Sequence, residues 1–347
     1  LDSVKNFLKI IDKDFFYDDK EEYSNKRGYY RPVITFSYFV DNQLWGKKPF
    51  GFHLTNLIIH FLNSLLIYFI IKHLTKQFSV ALLTSIFFSI HPIHIQSVSW
   101  ISGRTDLISA FFCLLSFYTF ILFKNKKNNF ILFIFSLISF LLSVFSKEMT
   151  LIFPFLLLIY LYLFHSVNKK RFLSDVKYIF PFFIISSFYF IFRLFIIRLN
   201  LTITSMDERI KLLNTFFIKG IPNYLFDLLF PFNLNFYKII NIVQLNIYTI
   251  TLSFLIFVIC IIIILLIKDK RLKFFYLFFL IFLIPLSNII KISTPEQFIF
   301  PYAIRFMYIP SITVCFFISY IFLKLYNRFS KIKVIISFSI ILLIILF

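Results

Sequence analysis

The chain has 347 residues, 60% of them apolar and 55 of them Phe, with only 15% charged and 5 Gly. Its mean hydropathy of +0.87 lies far above that of a soluble domain, where apolar residues make up about half of the chain. This excludes a soluble globular enzyme, a disordered chain and a disulfide scaffold. The formal net charge of +20 comes from Lys and Arg in short clusters between apolar runs, the placement membrane proteins use, so no nucleic-acid partner is expected.

Residues 1–50 are the one long polar stretch, with both signs of charge and Gly28 and Gly46 as breakers, and read as a single large loop with short helices. Apolar runs follow at about 51–71, 78–98, 105–123, 129–146, 149–165, 178–197, 213–231, 247–267, 274–290, 309–325 and 332–347. A span takes roughly 20 apolar residues, so several runs are short. Pro92, Pro154, Pro181 and Pro285 near or inside them mark kinks or ends. The expected fold is all-α, a multi-pass transmembrane helical bundle of about ten spans plus one re-entrant or interfacial segment at 213–231. Cys113, Cys260 and Cys315 sit in apolar runs and read as small buried hydrophobes. The chain opens at Leu1 and stops inside the run from Val334 to Phe347, so it reads as an internal fragment.

Five loops are basic: Lys72 and Lys76; Lys124, Lys126 and Lys127; Lys169, Lys170, Arg171 and Lys177; Lys268, Lys270, Arg271 and Lys273; Lys324, Arg328, Lys331 and Lys333. The connections around 92–106, 147–148 and 291–308 are poor in Lys and Arg. The positive-inside rule puts the basic set in the cytoplasm and the other set, with residues 1–50, on the extracytoplasmic side.

Polar residues inside such a chain are costly, and their clustering is the best pointer to function. His53, Asn56, His60 and Asn63 are spaced 3, 4 and 3, which sets them on one helical face. They suit hydrogen bonding between helices, with His53, near the outer end, more open to a functional role. HPIHIQSVSWISGRTD, His91 to Asp106, is the richest polar segment. His91 and His94 could meet a metal, but no Glu or Cys joins them locally and zinc wants three or four ligands, so no metal site is expected. Trp100 fits an interfacial anchor and Arg104 with Asp106 an ion pair; a loop wedged between two spans with this many polar groups is more economically the lining of a site. Ser146-Lys147-Glu148 interrupts two apolar runs, as a tight polar turn or as part of that site. Lys219, Asn223 and Asp227 recur at four-residue spacing. Arg104, Lys147 and Arg305 all end near one membrane face, where a bidentate Arg fork and a Lys point charge suit a phosphate. No P-loop, GxSxG, HExxH or GxGxxG motif is present, so soluble nucleotide chemistry is unsupported.

GYYRPVITFSYFVDNQLWGKKPFGFHLTNLIIHFLN (Gly28 to Asn63), HPIHIQSVSWISGRTDLIS (His91 to Ser109), SKE (Ser146 to Glu148), LLFPFNL (Leu228 to Leu234) and RFMYIPS (Arg305 to Ser311) occur in that order. Together they resemble the transmembrane and TPR-repeat-containing O-mannosyltransferase family of the GT-C glycosyltransferase superfamily, including its bacterial relatives. The resemblance implies a first extracytoplasmic loop over 1–50 and a GT-C-like transmembrane domain over 51–347. It also implies transfer of a mannose-like sugar from a polyprenyl- or dolichyl-phosphate donor to a protein Ser/Thr or other hydroxyl, with inversion, on the extracytoplasmic or lumenal side. The partners would be the lipid-phosphate sugar, a protein or glycan acceptor and the bilayer, without a cofactor.

The resemblance makes Arg104, Lys147 and Arg305 candidates for binding the donor phosphate, and Arg31, His53, His91, His94, Asp106 and Glu148 candidates for lining the site. The general base would be an Asp of the first outer loop. In relatives the paired acidic motif precedes the stretch matched by Leu1 to Phe16. Asp18, Asp19 and Asp106 are weak substitutes, since Asp18 and Asp19 follow the matching Asp14-Phe15-Phe16 and Asp106 has cations beside it. The family pattern carries Glu where this chain has Gln96 and Ile304, and its TPR repeats do not follow here. Two rival readings are a non-catalytic assembly subunit and a secondary transporter; the one-sided polar groups count against the latter.

Overall fold

The computed structural model describes residues 30–125, 129–165, 169–195, 206–232, 234–235, 237–287 and 299–328, and these are mostly helical. Asp18 and Asp19, the last apolar run and most of the connection before residue 299 lie outside them. The one sheet among the described residues is a two-stranded antiparallel ribbon, β1 (Tyr237–Asn241) with β2 (Ile299–Ala303), in which Lys238 pairs with Tyr302.

Four helical stretches are long and apolar enough to cross a membrane: Pro49–Thr75, Ile101–Asn125, Glu148–His165 and Ile247–Leu266. A fifth arises if Phe78–Ile90 and Pro92–Ser99, which meet at 48°, count as one broken span. About ten were expected, and that count is not reached among the described residues. Hydropathy runs do not register the breaks inside them: Phe130–Val144 and Phe180–Arg193 are shorter helices, and the run at 213–231 is divided by a π turn at Phe216–Gly220. The prolines act at helix ends. Pro92 lacks an N–H and forces the preceding His91 into an extended conformation (φ −66°, ψ 124°), which stops the helix before it. Pro154 lies in the first turn of Phe153–Tyr160.

Two compact units interleave along the sequence. The first contains α1 (Pro32–Trp45), the opening turns of α2 (Pro49–Thr75), α5 (Arg104–Asn125) and α6 (Phe130–Val144). It also holds α7 (Phe153–Tyr160), α8 (Lys169–Val176) and α9 (Phe180–Phe195). A φ of +60° at Gly46 ends α1, a conformation glycine adopts without Cβ cost. Gly51 then lets α2 begin against Trp45: a Cβ there would meet the Trp45 ring at 2.0 Å.

Helices α5 and α6 run antiparallel along a serine seam. Ser116 and Ser136 each donate to the other's carbonyl at 2.8 Å, and Ser143 donates to the Ser109 carbonyl at 2.8 Å. Small hydroxylated residues let the backbones approach where lipid offers no hydrophobic drive. Aromatic rings fill the rest of this core: Phe140 stacks on Phe153 at 5.1 Å, and Phe120 meets Phe182 edge-on at 5.8 Å.

The second unit holds the remainder of α2, α3 (Phe78–Ile90), the start of α4 (Ile95–Ser99), α10 (Met206–Thr215), α11 (Ile221–Leu229), the ribbon, α12 (Ile247–Leu266), α13 (Lys270–Leu283) and α14 (Ser311–Arg328). Helix α14 packs on α3 and α13; Phe275 stacks on Phe316 at 3.9 Å and Thr313 donates to the Phe275 carbonyl at 3.0 Å. Helix α12 buries none of its residues and is apolar on every face, the surface of a helix surrounded by lipid. Asp269 caps α13, and its hydrogen bond from the Arg271 side chain holds the carboxyl below its ordinary range.

Candidate functional site

In the first unit the expected site residues form three buried ion pairs or clusters. Arg104 is fully buried, and its guanidinium lies 2.5 Å from the Asp41 carboxylate. It also donates to Asn56 Oδ1 at 2.8 Å and to the Phe52 carbonyl at 2.8 Å, over the ring of Tyr38 at 4.7 Å. Asn56 is oriented for this by donating to the Val98 and Trp100 carbonyls, both at 3.2 Å. The pairing of Arg104 with Asp106 anticipated from their proximity does not form. Residues two apart on a helix face different directions, so Asp106 turns instead to Lys147 across the α5–α6 hairpin. Lys147 is buried in that pair.

The neighbouring Glu148 takes different partners. Both its oxygens accept from Arg31 at 3.3 Å, and Arg193 approaches to 3.5 Å. Two guanidinium groups on one carboxylate, beside the neutralised Lys147–Asp106 pair, leave this cluster with one excess positive charge. Of the expected lining residues, Arg31 and Glu148 keep some exposure, at 10% and 15% of their side chains. His53 is half-buried in the first turns of α2.

In the second unit the remaining motif residues meet. His91 accepts the Ile93 N–H on Nδ1 at 3.2 Å, so its Nε2 carries the proton donated to the Leu228 carbonyl at 3.1 Å. His94 Nε2 lies 2.8 Å from the Ser311 hydroxyl, whose own proton goes to the Tyr308 carbonyl at 2.8 Å; His94 is therefore the donor. Both histidines are buried and hold backbone and side-chain partners. Their ring centroids are 5.8 Å apart, with His60 5.2 Å from His94, yet among the described residues no three ligands are arranged to hold a metal ion.

Gln96 and Ile304 are both buried. Gln96 Oε1 accepts the backbone N–H of Arg305 at 3.0 Å. Sequence reasoning singled out Asp227 only through its spacing; here its buried carboxylate accepts from Lys238 at 2.5 and 2.7 Å and from the Tyr302 hydroxyl at 2.5 Å. Burial first, and Asp227 beside it second, push the Tyr302 phenol far above its ordinary range, so it stays the donor. Tyr224 stacks on Tyr302 at 4.1 Å. Lys219 reaches the Asn241 carbonyl, and Asn223 donates back to the Lys219 carbonyl.

Residues 32–192 match the sequence model of a family described as dolichyl-phosphate-mannose-protein mannosyltransferase. This is the O-mannosyltransferase resemblance that the motifs carry, found again by comparison. Among curated proteins the chain is similar to protein O-mannosyl-transferase F38B6.6 of Caenorhabditis elegans, 32% identical over 146 residues, 41% of this chain and 20% of that protein. It is also similar to protein O-mannosyl-transferase TMTC1 of Homo sapiens, 34% identical over 109 residues, 31% of this chain and 12% of that protein. The chain thus spans a fifth or less of these relatives. No solved structure matches it.

Proposed function

We propose that this chain is the membrane region of a glycosyltransferase that moves a mannose-like sugar from a polyprenyl- or dolichyl-phosphate donor to a hydroxyl of a protein acceptor, on the extracytoplasmic or lumenal side. The family match supports the reaction class, and the placement of Arg305 carries the assignment of a donor contact. Of the three cations expected at the phosphate, Arg104 and Lys147 are buried against Asp41 and Asp106, and Arg305 is half-buried, with its backbone N–H held by Gln96. A guanidinium so placed suits two phosphate oxygens and stabilises the lipid phosphate as it leaves. Arg104 and Lys147 then serve as internal braces. Asp106 is a poor general base because its carboxylate is committed to Lys147.

The test is steady-state transfer by the full-length enzyme from dolichyl-phosphate mannose to a Ser/Thr-bearing peptide. Arg305→Ala should raise the donor KM about tenfold or more, in line with the loss of one charge-assisted contact, and Arg305→Lys should recover part of it. An unchanged donor KM in Arg305→Ala rules the assignment out.

A further inference from the structure

Between Tyr302 and Tyr308 the chain buries five residues, Tyr302, Ala303, Ile304, Met307 and Tyr308, and leaves only Arg305 and Phe306 partly exposed. The guanidinium of Arg305 lies 5.6 Å from the centre of the Phe306 ring. This short stretch, the end of β2 and one 3₁₀ turn (Ile304–Met307), is anchored at three positions spaced three residues apart.

Upstream, the Tyr302 hydroxyl binds Asp227 and its ring stacks on Tyr224. In the middle, both backbone groups of Arg305 are held: its N–H donates to Gln96, and its carbonyl accepts from the Tyr308 N–H at 3.1 Å. Downstream, the Tyr308 hydroxyl is fixed by two residues of α2. His60 Nε2 faces the Ser89 carbonyl at 3.1 Å and must carry a proton there, which makes Nδ1 an acceptor. Tyr308 therefore donates to His60 Nδ1 at 2.7 Å, and Asn63 Nδ2 donates to the same hydroxyl at 3.0 Å. The Tyr308 proton is thus assigned by His60, which enters this set as a hydrogen-bonding group.

We infer that Gln96 and Tyr308 are positioning residues for Arg305: through the Arg305 backbone and the turn that follows it, they fix where the guanidinium meets an anionic group of the donor. The inference rests on the donor contact proposed above. A long cationic side chain loses freedom when it binds, and a stem whose backbone is already immobile loses less. Neither residue needs to touch substrate. This gives a role to polar groups on α2 and in HPIHIQ that sit in a buried cluster. It also explains why the motifs at 60–63, 91–96 and 305–311 occur together: they build one clamp.

The experiment uses the full-length protein in membranes, with Tyr308→Phe and Gln96→Met, each close in shape to the residue replaced. Amide hydrogen exchange over residues 303–309 should quicken about tenfold in both variants, because the clamp sets local opening there. Donor KM should rise about fivefold with kcat within about twofold, and neither variant should add to the effect of Arg305→Ala. Unchanged exchange at Arg305 overturns the inference. So does a KM effect that persists at full size in an Arg305→Ala background, since the residue then acts on its own. If Arg305→Ala leaves donor KM unchanged while Tyr308→Phe still quickens exchange, the donor assignment falls and the clamp stands. Should Tyr308→Phe fail to accumulate, Gln96→Met decides by the same readouts.

Discussion

Arg104 offers the sharpest test of brace against ligand, because the two roles predict opposite outcomes. Its guanidinium is fully buried, 2.5 Å from Asp41, and satisfies Asn56 Oδ1, while Asp41 also accepts from Thr55 at 2.8 Å. Arg104→Met keeps the bulk of the stem and removes the charge, leaving the Asp41 carboxylate buried without its counter-ion. Removing one partner of such a pair costs about 3–5 kcal/mol, since the desolvation cost of the survivor is no longer offset. Asp41→Leu should cost a similar amount for the reciprocal reason. The double variant should lose less than the sum, and no more than the larger single loss, because no unpaired charge remains. Unfolding in mixed detergent micelles, followed by loss of helical signal across a denaturant titration, gives the four corners of the cycle. If Arg104→Met changes stability by under about 0.5 kcal/mol yet abolishes use of the donor, the buried-pair reasoning is wrong and Arg104 is a ligand.

Two further predictions concern the first unit. Gly51→Ala should destabilise by about 1–3 kcal/mol by driving its new Cβ into Trp45, and the same change in a Trp45→Ala background should recover only part of that loss, since the Cβ at position 45 would still lie 2.5 Å away. Ser116→Ala with Ser136→Ala should cost about 1 kcal/mol in detergent unfolding, while Ser116→Leu should cost more by forcing α5 and α6 apart.

The membrane-helical character of the chain and the motif segments that matter were legible in the sequence, because hydropathy and local clustering are properties of neighbouring residues. Partners were not. Asp41 sits in a stretch that reads as an ordinary polar loop, and nothing local marks it as the counter-ion of a residue 63 positions later. The His60–Tyr308 and Asn63–Tyr308 bonds join residues about 250 apart in sequence, beyond any spacing argument. His91 and His94 likewise bond to residues far along the chain. Their partners, Leu228 and Ser311, lie in motif segments 137 and 217 residues away, and no spacing argument joins them. Helix continuity was not legible either, because a run of apolar residues is the same whether its helix is continuous or broken by a π or 3₁₀ turn.

Lys147 and Glu148 are consecutive, yet they reach different helices: Lys147 to the start of α5, Glu148 to Arg31 before α1 and to Arg193 near the end of α9. A ribosome delivers these groups one after another, so the order of synthesis fixes when each charge is answered. Asp106 waits about forty residues for its lysine, Arg31 waits 117 for its glutamate, and the second guanidinium arrives only with residue 193. Until then, ionised side chains that end up buried must stay at the aqueous boundary or beside the insertion machinery, since the bilayer interior penalises them severely. Final docking of these helices thus has to wait until Arg193 has been made, however early Arg31 and Asp106 emerge.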